Sequence, residues 1–92
     1  VVSLLARFSS RAAEELGQLR EALAAKDFGR FRETAHSMKG AAWNLSARRL
    51  GDAAFEAETA GRNGDAVAAD AAVEKVDAEL EAFLAAIEPY RK

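Results

Sequence analysis

His36 is the only histidine in the 92-residue chain, with a lysine three positions on and a glycine four positions on. On a helix, residues three and four apart are surface neighbours, so His36, Lys39 and Gly40 share one patch. At about 100° per residue, Phe31, Ala35, Met38, Ala42 and Leu45 fall on one arc. His36, Gly40 and Trp43 fall on the opposite arc, flanked by Arg32 and Lys39. This spacing predicts a core-facing apolar arc and a histidine arc turned toward water or a partner.

Several uses of a lone histidine are poorly served here. Acid–base or nucleophilic catalysis needs an orienting second group and a substrate pocket. A zinc site needs several converging ligands. With one histidine and no cysteine, carboxylates would have to complete it, and Glu33 alone sits at helical spacing from His36. No second axial candidate supports a haem. A different use fits the pattern better. A substantial fraction of any exposed imidazole is unprotonated at neutral pH, so it is a nucleophile able to take a phosphoryl group that another protein presents. Lys39 could offset charge on the phosphoryl oxygens. Gly40 would remove a side chain beside the ring and let a partner approach. A mid-helix glycine costs roughly 1 kcal/mol relative to alanine, and access gives a reason for tolerating it.

The elements that must position this patch read as four helices. From about Val2 to Ala25, Leu5, Phe8, Ala12, Leu16, Leu19 and Leu23 recur at steps of three and four. Lys26 and Asp27 break the pattern, and Asp27 suits an N-cap. The second helix spans about Phe28 to Leu45. Ser46 is the next break and is predicted to cap a third helix from Ala47 to Ala60, whose inner face is small: Leu50, Ala53, Ala54 and Ala57. Phe55 lies off that face. Gly61-Arg62-Asn63-Gly64-Asp65 reads as a turn, with Asp65 capping a last helix over Ala66 to Glu88 that Pro89 ends. Four such segments joined by short turns predict an all-α fold, an antiparallel up-down-up-down four-helix bundle.

Composition bounds the function classes. The length suits one domain over residues 1–92. Half the residues are hydrophobic, many of them alanine, and 30% are charged with a net charge of −2. That balance lacks the basic stripe of a nucleic-acid binder. Without cysteine there is no disulfide or thiolate metal site, as a reducing cytoplasm allows. No apolar run approaches membrane-spanning length. The chain opens on Val1 with its periodic pattern already running, as a domain excised from a longer protein would.

Ala35-His36-Ser37-Met38-Lys39-Gly40, followed by Asn44-Leu45-Ser46-Ala47 and Leu50, resembles the histidine-containing phosphotransfer (HPt) domain of bacterial phosphorelays. Leu19 to Asp27 before it, and Glu58 through Asp65 after it, are also similar. The resemblance implies that His36 takes a phosphoryl group from the phospho-aspartate of a response-regulator receiver domain and passes it to another. It implies a phosphocarrier rather than an enzyme, needing no cofactor of its own, with Mg²⁺ in the partner receiver. Lys39 and Gly40 carry over as phosphate-side charge and clearance. Receiver domains are the implied partners, with a hybrid histidine kinase as a wider context. A monomer is expected, in the cytoplasm or as the cytoplasmic part of a larger sensor kinase. Trp43 stands where a small or polar residue is usual and is predicted to be partly exposed at the docking surface, with Arg32, Ser37, Arg48 and Arg49 as further candidate contacts. Ser46 replaces the usual glycine. The rival function is a helical docking module whose histidine is never phosphorylated. Ser37 also differs from the acidic residue that follows the histidine in kinase dimerisation domains.

Overall fold

The computed structural model describes the backbone of residues 2–90 and the side chains of residues 4–89. Residues 1, 91 and 92 of the domain read from the sequence lie outside the described residues. The chain forms four helices, α1 (Val2–Ala24), α2 (Phe28–Asn44), α3 (Arg48–Asn63) and α4 (Ala66–Ile87), and closes with a 3₁₀ turn over Glu88–Tyr90. No strand occurs among the described residues. Together they make a helical bundle 39 Å long and 18 Å across. None of its helices is long and apolar enough to cross a membrane.

The apolar arcs become one core. Phe31, Ala35, Met38 and Ala42 of α2 are fully buried, and Leu45 packs against them at the edge. They meet Phe8, Ala12 and Leu19 of α1, the alanine face of α3, and Val73, Val76 and Leu80 of α4. Phe8 and Phe83 stack edge to face with centroids 5.3 Å apart, joining α1 to α4. Further along the same two helices, Arg20 bonds both Glu74 and Asp77.

Two caps form as the sequence suggests. Asp27 accepts from the Arg30 N–H at 3.1 Å, and Asp65 accepts from the Ala68 N–H at 3.0 Å. Ser46 does not cap α3. It adopts φ 60°, a left-handed conformation that reverses the chain, and Ala47 takes the cap position with no side-chain bond. That conformation is the one glycine adopts most easily and other residues pay for. The end of α3 also differs from expectation: the helix runs past Ala60 to Asn63, and the turn is confined to Gly64 at φ 62°. Gly64 donates to the Gly61 carbonyl and Asp65 to that of Ala60, which satisfies the helix end without breaking it earlier.

Gly61 is therefore a buried packing residue. A Cβ there would come within 3.0 Å of the Phe31 ring and 3.1 Å of the Arg32 Cα. Neither neighbour can yield, since one is a core ring and the other is backbone. Gly17, by contrast, has open space where a side chain would go. Urea denaturation should therefore separate the two. Gly17→Ala should stabilise the protein by up to about 1 kcal/mol through helix propensity. Gly61→Ala should destabilise it by about 1–2 kcal/mol, overpacking outweighing propensity. A stabilising Gly61→Ala would contradict the close α2–α3 contact.

Candidate functional site

The arc of α2 opposite the core carries His36, whose side chain is 67% exposed. Across from it, the inner edge of α3 carries Glu58, whose side chain is only 5% exposed. The Glu58 carboxylate is divided between two partners. Its Oε2 lies 2.7 Å from His36 Nδ1, and its Oε1 accepts from Lys39 Nζ at 2.6 Å. Arg62, one turn further along α3, approaches Oε2 at 3.9 Å. Arg32, Glu33, His36 and Lys39 of α2 and Glu58 and Arg62 of α3 line one open concavity.

Burial pushes the Glu58 carboxyl upward, but the hydrogen bonds and charges of Lys39 and His36 outweigh it and hold its pKa below the ordinary glutamate range. The carboxylate is therefore ionised at neutral pH and can only accept. Nδ1 of His36 must then carry the proton of their hydrogen bond. In the neutral ring this leaves the lone pair on Nε2, on the far side from Glu58. The result is an exposed, oriented nitrogen nucleophile beside an anchored ammonium.

The structure brings Arg32, His36 and Lys39 together as their spacing predicts. Gly40 is exposed, and apart from its own turn of helix no atom lies within 4 Å of where a side chain would start. Trp43 is 43% exposed, and its indole N–H donates to Asp52 Oδ1 at 3.2 Å. Arg48 lines the recess beside that indole. Two candidates are directed elsewhere. Arg49 pairs with Glu79 of α4 at 3.3 Å, since its position at the start of α3 turns it to the other flank. The Ser37 hydroxyl donates to Glu15 and accepts from Arg11, which ties α2 to α1. Among the described residues no three carboxylate or imidazole groups converge as a metal site requires.

Glu58 and Arg62 are invisible to the spacing around His36, which offers Glu33 of the same helix as its one acidic neighbour. One signal was available. Glu58 lies four residues after Ala54 and three before Gly61, a charge inside an otherwise small-residue stripe. A carboxylate on a buried stripe needs partners.

A family profile, the Hpt domain, matches residues 3–86, so the chain belongs to the Hpt domain family. That membership puts it among the phosphocarrier modules of two-component signalling, whose partners are receiver domains. Neither curated proteins nor solved structures gave a match.

The Glu58 pairing predicts a pH-dependent contribution to stability. Folding depresses this pKa, so the contribution is full above the ordinary glutamate pKa of about 4.3 and is lost as pH falls through the lower folded value. Glu58→Gln should lower stability by about 1–3 kcal/mol at neutral pH. Its difference from wild type should shrink in acid when both are unfolded with urea across the pH range. A gap that stays constant with pH would contradict the assignment.

Proposed function

We propose that His36 is the phosphoacceptor of a phosphorelay, loaded by the phospho-aspartate of one receiver domain and unloaded by another. The observation that carries this reading is the Nδ1–Glu58 hydrogen bond on an otherwise exposed imidazole, which leaves Nε2 free. In the forward step the Nε2 lone pair attacks phosphorus, an N–P bond forms, and the acyl P–O bond breaks. The receiver's aspartate leaves with that electron pair as a carboxylate. The Nδ1 proton stays where it is, and the Glu58 carboxylate offsets the positive charge that the ring gains. Unloading is the reverse sequence with a second aspartate.

The surrounding residues support this chemistry. Open space at Gly40 gives a receiver's active site room to close on Nε2. Lys39 supplies positive charge next to the reacting ring, and Arg32 and Arg62 line the same concavity as it. Trp43 and Arg48 border the surface that a receiver would meet. In this reading the domain needs no cofactor of its own, and the Mg²⁺ of the reaction belongs to the receiver. It acts as a single monomeric module on an antiparallel up-down-up-down frame. The reversed order of partners along neighbouring helices supports that frame: Lys39 with Glu58 and Trp43 with Asp52, then Glu56 with Lys75 and Arg49 with Glu79. We place its action in the cytoplasm, where receiver domains work, alone or as part of a larger sensor kinase.

Transfer from phosphorylated receivers tests the reading. Wild type should acquire an acid-labile, alkali-stable label and His36→Gln none. A folded wild type that binds a receiver yet never takes label would instead favour a plain docking module. Gly40→Ala adds an independent check. It should raise stability by about 1 kcal/mol while slowing transfer from a receiver several-fold. Unchanged transfer in that variant would remove clearance from the account.

A further inference from the structure

Lys39 has aromatic as well as anionic neighbours. Besides its bond to Glu58, its Nζ lies 5.5 Å from the centroid of the Trp43 ring and 5.4 Å from that of Phe55. The rings are 6.2 Å apart and inclined at 48° to each other, one from α2 and one from α3. Both belong to the few large hydrophobic side chains left exposed among the described residues. Trp43 is fixed in place by more than this contact. Besides the bond to Asp52, the Cδ1–Nε1 side of its indole packs directly against Gly51, where any Cβ would overlap the ring.

We propose that Trp43 and Phe55 form an aromatic clamp, seated on Gly51, that positions Lys39 on Glu58 and through it orients His36. A lysine ammonium has a flexible four-carbon stem and is strongly hydrated, so an ion pair alone holds it loosely. Two ring faces attract the cation and replace part of its water, which leaves Glu58 as its one anionic partner. Glu58 then keeps a charge-assisted hydrogen bond on Oε1 while Oε2 serves the imidazole. The clamp makes Trp43 and Phe55 positioning residues that act before any partner arrives. This role rests on the reading of His36 as phosphoacceptor, but its geometry can be measured without phosphate.

The test uses the whole chain, without a receiver, as wild type, Trp43→Leu, Trp43→Phe and Gly51→Ala. The last variant removes no ring and no charge; it only unseats the indole. Three quantities are followed by NMR: the Lys39 Hε shift, the Glu58 carboxyl titration, and the rate at which phosphoramidate phosphorylates His36. In wild type the Lys39 Hε resonance should lie upfield of the other lysines. In Trp43→Leu and Gly51→Ala it should return to the common position, and Glu58 should titrate higher. The phosphorylation rate should then fall about two- to five-fold, the scale of a partly exposed cation–π contact. Trp43→Phe should retain most of each effect. If Gly51→Ala does not fold, Trp43→Leu decides. An ordinary Lys39 shift in wild type overturns the clamp, as does an unchanged Glu58 titration and rate in folded Trp43→Leu. A normal clamp signature in a wild type that accepts phosphate from no donor would count against the phosphorelay reading and leave the clamp standing.

Discussion

A carboxylate removed from water must be compensated or it will protonate. Glu58 is nearly buried at the α2–α3 junction, and its two oxygens are taken by an ammonium and an imidazole from the facing helix. The arrangement works in both directions. Lys39 and His36 keep the carboxylate ionised, and the ionised carboxylate fixes which imidazole nitrogen carries the proton. A protonated Glu58 could donate instead, and the ring would lose its fixed orientation. The chemistry assigned to His36 therefore depends on a residue on another helix, 22 positions later in the chain.

The rest of the bundle makes that reach possible. Side chains of this length meet across a helix pair only when the axes are close, and small residues on the facing stripe let them approach. Ala53, Ala54, Ala57 and Gly61 are among the small buried residues of α3, and Gly61 brings its backbone against Arg32 of α2. Three glycines near the site serve three different spaces. Gly61 gives room to a helix, Gly51 to an indole, and Gly40 to solvent or a partner. Only the last lies on the open surface beside His36.

Much of this was legible in the sequence because it depends on periodicity. The apolar arc of α2, the four helical segments and the exposed His36–Gly40 face all follow from steps of three and four, and the Asp27 and Asp65 caps from the N-cap preference of aspartate at the breaks between them. Features that depend on contact between helices were less legible. Serine favours a cap position, yet the three-residue reversal from Leu45 to Ala47 needs a left-handed residue at Ser46. Gly61 looked like the start of a turn because glycine usually marks one, but its value lies in the missing side chain. Arg49 shares a helix start with Arg48 and faces α4 instead. Glu58 was the largest omission, since a pair separated by a turn and a second helix leaves no mark in local spacing.

The protonation pattern of the His36 ring tests the account most directly. A long-range ¹H–¹⁵N correlation spectrum of the wild-type domain at mildly alkaline pH, followed by ³¹P coupling after phosphorylation, reads both nitrogens. The account predicts a proton on Nδ1, an unprotonated Nε2, and phosphorus on Nε2. A ring protonated on Nε2, or phosphorus bound to Nδ1, would contradict it.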